Sequence, residues 1–103
     1  MTRFAARVDD NQGEIVKFLR SIGVSVQILS GVGHGCPDLL IGVPGANDLW
    51  ELKDGKKVAS ARKLTTHEFE WHQRWRGPVC IVRSIEEAEE RLKWIRERAL
   101  KNE

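Results

Sequence analysis

The sequence predicts one α/β domain over residues 1–103, with a mixed central sheet flanked by helices in the order α-β-β-β-α-β-α. Apolar residues recur at helical spacing in three segments, whereas four shorter segments are β-branched and apolar. The length of 103 residues suits one small domain, and 41% hydrophobic with 31% charged residues is typical of globular proteins. No internal repeat or linker divides the chain, so we expect no second domain.

The first helix is predicted over about residues 10–22. Its apolar stripe consists of Ile15, Phe18, Leu19 and Ile22. Either Asp9 or Asp10 can cap its start, and Gly23 suits the left-handed conformation that often follows a helix.

The three strands predicted next cover residues 24–29, 39–41 and 49–53. Gly31, Gly33 and Gly35 indicate a flexible turn between the first two strands, and Pro44-Gly45 indicates the turn before the third. Residues 54–63 are polar and basic, so we expect a loop there.

The second helix is predicted to begin with a capping box, Thr65-x-x-Glu68, accompanied by a hydrophobic staple of Leu64 and Phe69. It should end near Arg76, because Gly77-Pro78 cannot continue a helix. Its two tryptophans, Trp71 and Trp75, lie four residues apart, a spacing that favours packing over base stacking.

A fourth strand is predicted at residues 79–82, and a last helix follows it. Ser84-x-x-Glu87 indicates a second capping box at the start of that helix. The apolar stripe of the helix consists of Ile85, Ala88, Leu92, Ile95 and Ala99. Its mixed charges suit a packing element or a dimer surface.

Several protein classes are excluded by composition. No apolar run approaches the ~20 residues of a transmembrane helix, so no membrane association is predicted. Residues 1–10 lack the apolar core of a secretory signal. Cys36 and Cys80 lack Cys-x-x-Cys spacing and are too few for a disulfide scaffold, so reduced thiols in a cytoplasmic protein are expected.

Two carboxylates and one lysine are predicted to meet at the strand ends. Glu51 and Lys53 lie two residues apart on one strand, so their side chains share a face of the sheet. If the second and third strands pair, Asp38 approaches Glu51 on that face. Mg²⁺ commonly binds one or two carboxylates plus water and phosphate, and a nearby lysine can orient an attacking water. This arrangement is typical of metal-assisted phosphodiester hydrolysis, although a single strand-end carboxylate is usually only a turn cap.

Several motifs, taken together, resemble those of a known family. They are Glu14, Gly35-Cys36-Pro37-Asp38-Leu39-Leu40, Glu51-Leu52-Lys53 and Leu64-Thr65-x-x-Glu68. Over about residues 10–84 the chain resembles the PD-(D/E)XK nuclease superfamily, specifically the short standalone phage form of its virus-type replication-repair nuclease (VRR-NUC) branch. The resemblance implies a restriction-endonuclease-like αβββαβ core with an extra C-terminal helix.

The resemblance also implies an activity and the residues that carry it. Asp38, Glu51, Glu14 and the backbone carbonyl of Leu52 would hold Mg²⁺ or Mn²⁺, and Lys53 would position the nucleophilic water. Glu68 stands where the family has a glutamine, so it is either an additional ligand or only the capping partner of Thr65. Glu14 could equally be an ordinary surface glutamate.

The implied substrate is branched DNA, such as a four-way (Holliday) junction in DNA repair. A homodimer is expected to cut it, and the expected location is the cytoplasm, that of the host if the protein is phage-encoded.

Positive charge is concentrated in one part of the sequence. Residues 56–83 hold seven basic and two acidic side chains, a net charge of +5, whereas residues 1–55 and 84–103 carry net charges of −2 and −1. Backbone phosphates would be contacted by Lys56, Lys57, Arg62, Lys63 and His34, although basic loops are often simply solvated.

Other functions remain open at this point. A catalytically silent module that binds DNA or a replication partner could share this fold, and Glu68 in place of glutamine keeps that alternative open. An RNA nuclease or a transcription-linked factor is a further alternative. A nucleotide-binding loop at Gly31-x-Gly33-x-Gly35 is disfavoured, because no helix follows it and Pro37 interrupts.

Overall fold

The computed structural model describes residues 10–102, which form three helices and a four-stranded mixed sheet. The elements are α1 (Gln12–Ser21), β1 (Ser25–Ile28), β2 (Leu39–Val43), β3 (Ala46–Leu52), α2 (Thr66–Arg74), β4 (Val79–Val82) and α3 (Ile85–Lys101). The predicted α/β class and the element order are confirmed. The loop predicted at residues 54–63 also contains a short 3₁₀ helix, Ala59–Arg62.

The sheet has the strand order β1-β2-β3-β4. The first three strands pair antiparallel through short turns, whereas β4 runs parallel to β3 after the crossover through α2. The register pairs Leu39 with Trp50 and Leu52 with Val82. The ends of β3 and β4 therefore lie side by side, next to the start of β2.

The hydrophobic core lies between one face of the sheet and the helices α1 and α3. Trp50 and Leu52 are fully buried on this face of β3. The helices contribute Ile15, Val16, Leu19, Ala88, Leu92 and Ile95 to the same cluster. Because side chains alternate along a strand, Glu51 and Lys53 lie on the opposite face of β3. No helix in residues 10–102 is long and apolar enough to cross a membrane.

The start of α1 differs from the prediction. The helix begins at Gln12, and its N-cap residue is Asn11 rather than an aspartate. The Asn11 side chain makes no capping hydrogen bond; its Nδ2 donates to the backbone carbonyls of Lys53 (3.2 Å) and Arg83 (3.1 Å). The side chain thus ties α1 to the ends of β3 and β4. Asp9 lies outside the described residues.

The two predicted capping boxes differ in the structure. The box of Thr65 and Glu68 is complete, with both reciprocal hydrogen bonds present. At α3 only half of the box forms: Ser84 Oγ accepts from the Glu87 backbone N–H at 3.1 Å. The Glu87 carboxylate instead accepts the backbone N–H of Arg83 at 2.8 Å. The Glu87 carboxylate therefore holds the backbone of Arg83, the residue before the N-cap Ser84.

Helix α2 packs differently from the other two helices. None of its nine residues is buried, and the packing predicted from the spacing of Trp71 and Trp75 takes place between the two rings themselves. The two indole rings stack on each other with centroids 4.7 Å apart, and Trp75 remains 46% exposed. Phe69, expected in a hydrophobic staple, is 54% exposed. This helix is held to the sheet mainly by polar contacts.

Candidate active site

Asp38, Glu51 and Lys53 come together on the face of the sheet opposite the core. Continuing the β2–β3 register one step beyond Leu39 and Trp50 places Asp38 opposite Glu51. All three side chains are buried, with exposures of 5% for Asp38, 2% for Glu51 and 8% for Lys53. Buried charged groups are rare unless they are paired or bind an ion, so this cluster requires a specific explanation.

Two hydrogen bonds hold the Asp38 carboxylate. Its Oδ2 accepts the backbone N–H of Leu52 at 2.7 Å, and its Oδ1 accepts from Ser30 Oγ at 3.4 Å. The same hydroxyl lies 3.0 Å from Gln12 Oε1. Gln12 and Ser30 are each 6% exposed, so α1 reaches Asp38 through a buried polar chain. Neither residue belongs to a charged motif, so the sequence did not indicate a role for them.

One carboxylate oxygen of the buried Glu51 has no hydrogen-bond partner among the described residues. Its Oε2 lies 3.8 Å from Lys53 Nζ, and its Oε1 is buried without a hydrogen-bond partner among residues 10–102. Burial, together with the nearby carboxylates of Asp38 and Glu68, raises the pKa of Glu51 to about 10. Without an added cation, Glu51 is therefore neutral near pH 7. A cation would favour its ionised form.

Glu68 joins α2 to this cluster. Its Oε1 accepts from Lys53 Nζ at 2.8 Å and from the Thr65 backbone N–H at 2.8 Å. Burial acts to raise the pKa of Glu68, but the hydrogen bonds from Lys53 and Thr65 outweigh it and lower the pKa overall. One oxygen therefore completes the capping box and holds the lysine. The capping role and a role in the site are both compatible with this geometry.

The cysteines do not supply a nucleophile. Burial raises the pKa of Cys36, and the carboxylates of Glu51 and Asp38 raise it further. Burial and the neighbouring Asp48 raise the pKa of Cys80 to about 12. Because the thiolate is the reactive form, both side chains are inert thiols at neutral pH.

The structure places Glu14 away from Asp38. Positions 12 and 14 of a helix differ by about 200° in direction, so the residue that α1 turns towards Asp38 is Gln12. Glu14 is exposed and lines a separate cavity of about 680 Å³. Asp54, Lys56 and Arg62 also line this cavity.

The predicted DNA-binding residues do not belong to the buried cluster. Lys56, Lys57 and Lys63 are exposed, and Lys57 Nζ lies 3.3 Å from a carboxylate oxygen of Asp10. Arg62 is half-buried, and its Nε has no hydrogen-bond partner in the described part of the chain. His34 is exposed in the glycine-containing loop, with a positive φ of 57°.

The cluster contains two of the carboxylates that a divalent cation could bind. Within residues 10–102 no group of three or more His, Cys, Asp or Glu side chains is arranged to hold a metal ion. Mg²⁺, however, usually takes only one or two carboxylates and keeps several waters. Asp38 and Glu51 provide such a pair, and the buried Oε1 of Glu51 has no hydrogen-bond partner in the described part of the chain. If Glu51 were ionised, Asp38, Glu51 and Glu68 beside the single positive charge of Lys53 would leave a net charge of −2, which a divalent cation would neutralise.

No protein-family model, curated protein or solved structure matches the chain. The chemistry of the cluster itself therefore supports the functional proposal.

Proposed function

We propose that the protein is a metal-dependent DNA endonuclease of the PD-(D/E)XK type, and that it hydrolyses phosphodiester bonds in branched DNA. The observation that carries the proposal is the buried cluster of Asp38, Glu51 and Lys53, in which Glu51 Oε1 has no hydrogen-bond partner among the described residues. A carboxylate pair beside a lysine suits phosphoryl chemistry, which requires positioning and charge neutralisation. The VRR-NUC resemblance of the motifs supports the same conclusion.

Asp38 and Glu51 would hold Mg²⁺ or Mn²⁺, and the Leu52 carbonyl would be a further ligand. The ion would supply charge neutralisation at the phosphate and a more acidic bound water. The protein keeps Asp38 in position through the Leu52 N–H and through the chain of Gln12 and Ser30. These contacts fix the carboxylate on a rigid strand start rather than on a mobile loop.

Lys53 is the residue that acts on the reacting atoms. Its ammonium group, held by Glu68 at 2.8 Å, would orient the attacking water and stabilise negative charge on the phosphate oxygens. The attacking water would release a proton to solvent as its oxygen bonds to phosphorus, the bond from phosphorus to one bridging oxygen would break, and that oxygen would leave with a proton taken from solvent. Glu68 thus takes a positioning role, in place of the family's glutamine.

The substrate would be selected by shape rather than by base sequence. The exposed lysines at positions 56, 57 and 63 carry positive charge next to the cluster and would contact backbone phosphates. A two-fold junction requires two active sites to cut both strands in register, so we propose that a homodimer is the active form.

The test is cleavage of a four-way junction and of a linear duplex with Mg²⁺ or Mn²⁺. We expect Asp38→Ala and Lys53→Ala to reduce the rate at least about 100-fold, the loss typical when a charge-stabilising group is removed. Lys17→Ala is the matched control, because Lys17 is an exposed lysine of α1 outside the cluster. Its rate should equal that of the wild type.

Two outcomes would contradict the proposal. Unchanged cleavage by both cluster variants would show that the active site lies elsewhere. Junction binding by the wild type without metal-dependent cleavage would favour a silent binding module instead, for which Glu68 in place of glutamine is the supporting feature.

A further inference from the structure

The C-terminal end of α2 exposes an unusual amount of aromatic surface. Trp71 and Trp75 stack with an interplanar angle of 18° and a centroid separation of 4.7 Å; we call this pair the aromatic platform. Trp75 is 46% exposed. Burying apolar surface stabilises a fold, so an indole left half in water forgoes part of that stabilisation. A stacked aromatic pair with one exposed ring is typical of a binding surface.

The outer ring of the platform is held in place by the chain that follows it. Trp75 rests on Trp71 on one side. A Cβ atom at Gly77 would lie 3.0 Å from Trp75 Nε1, so the chain at Gly77 lies in close contact with the indole. The ring is therefore positioned before any ligand binds, which lowers the entropic cost of stacking against it.

The platform lies on the same side of α2 as the active-site contact. Positions 68, 71 and 75 follow the i, i+3, i+7 spacing of one helix face. Glu68 is bonded to Lys53, so this face begins at the cluster. At 1.5 Å of rise per residue, Trp75 lies about 10 Å further along the helix axis, a distance of roughly three stacked nucleotides.

The charge around the platform favours nucleic acid over a protein partner. Arg74 and Arg76 flank Trp75 in sequence, and both are exposed. Residues 56–83, which include the platform, are the most basic part of the sequence, with a net charge of +5 from seven basic and two acidic residues. An aromatic ring beside arginines on a basic surface binds bases by stacking and phosphates by charge. Bases inside a duplex already stack on one another, so the occupant must be unpaired.

We propose that the aromatic platform binds an unpaired stretch of the DNA strand that adjoins the cleaved phosphate, with one base stacked on Trp75. Arg74 and Arg76 contact the phosphates on either side of that base. This inference rests on the proposed nuclease function for the identity of the substrate as DNA. It narrows the substrate class to branched DNA with unpaired nucleotides at the branch point, such as flaps and open junctions.

The test measures binding without divalent metal, so that cleavage cannot interfere. Fluorescence anisotropy compares a short thymidine oligonucleotide with a duplex of equal length. We expect Trp75→Leu to weaken single-strand binding about tenfold, because one base stack is lost, and to change duplex binding less than twofold. Trp75→Phe should retain most of the affinity. Trp94→Leu is the matched control, because Trp94 is a 37% exposed tryptophan on α3 outside the platform.

A 2-aminopurine base in the oligonucleotide provides a second measurement. Its fluorescence should be quenched on binding to the wild type and less quenched with Trp75→Leu. Equal losses on single strand and duplex, or a Trp75→Leu effect no larger than that of Trp94→Leu, would overturn the proposal. Thermal unfolding of each variant identifies any loss of folded protein. If Trp75→Leu is not fully folded, the single-strand affinity of Trp75→Phe decides: retained affinity supports the proposal, and a loss as large as that of Trp75→Leu overturns it.

The two proposals can fail separately. A wild type that never cleaves DNA, but whose single-strand binding depends on Trp75, would refute the nuclease proposal alone. Cleavage that depends on Lys53, with single-strand binding independent of Trp75, would refute the platform alone.

Discussion

Ser30 is a neutral residue that holds the carboxylate of Asp38, the proposed metal ligand, in position. Its hydroxyl lies between Gln12 Oε1 at 3.0 Å and Asp38 Oδ1 at 3.4 Å, and it is buried with both of them. A hydroxyl carries a single proton, so Ser30 can share it between the two acceptors. Groups that orient metal-binding carboxylates often affect activity nearly as strongly as the ligands themselves.

We therefore expect Ser30→Ala to lower the cleavage rate about tenfold and to raise the metal concentration needed for half-maximal cleavage. Ser30→Thr, which keeps the hydroxyl, should restore most of the activity. The matched control is Ser25→Ala, since Ser25 is an exposed serine on β1. If Ser30→Ala and Ser25→Ala behave alike in a metal titration, Ser30 has no positioning role.

At the scale of the element, α2 is the part of the fold whose stability rests on polar contacts. It buries none of its residues, yet it carries both Glu68 and the aromatic platform. The capping box and the Lys53–Glu68 bond hold its first turn, and Gly35 packs so tightly on it that a Cβ would lie 2.3 Å from the His67 carbonyl oxygen. A helix with little apolar burial depends strongly on its cap.

Thr65→Ala removes half of the capping box, at a cost of about 1 kcal/mol to the helix. We expect the loss to appear locally. Amides of α2 should exchange with solvent about fivefold faster, whereas the exchange rates of the core amides of β3 should change little. Hydrogen exchange followed by mass spectrometry resolves the two regions. Thr66→Ala is the control, because Thr66 is exposed and is not the cap. Uniformly faster exchange throughout the chain would contradict local unfolding.

At the scale of the whole molecule, the ion pair of Asp48 and Arg91 joins the sheet to α3 on the core side. Asp48 is 2% exposed and accepts from Arg91 Nε at 2.6 Å, from Arg91 Nη2 at 3.0 Å and from Trp50 Nε1 at 2.7 Å. Arg91 in turn lies 3.8 Å from the centroid of the Trp94 ring. A bidentate pair of this kind links β3 to α3 with a defined orientation.

Removing one partner of this pair should destabilise the whole fold. Arg91→Met leaves the Asp48 carboxylate buried without a cation, so we expect a loss of about 3 kcal/mol in the free energy of unfolding. Adding Asp48→Asn should recover part of this loss, because a neutral amide needs no counter-charge. Urea denaturation of both single variants and the double variant measures the coupling. Arg98→Ala, which removes an exposed arginine next to Trp94, is the control. Strictly additive losses would exclude the coupling.

The sequence alone was sufficient for the element order, for the complete capping box at α2 and for the meeting of Asp38, Glu51 and Lys53. Each depends on short-range rules: helical and strand periodicity, turn residues, and the alternation of side chains along adjacent strands. The placement of Asp38 opposite Glu51 needed only the assumption that neighbouring strands pair. Pairing of consecutive strands is the common case.

Tertiary structure alone decided which residues support that cluster and which do not. Asn11 donates hydrogen bonds to two strand-end carbonyls, 42 and 72 residues away in sequence, because the fold brings them within reach of its amide. Gln12 rather than Glu14 faces Asp38, because the packing of α1 sets the rotation of the helix. The exposure of Trp75 likewise depends on how closely α2 approaches the sheet. Contacts between distant segments depend on packing geometry, which no local pattern in the sequence encodes.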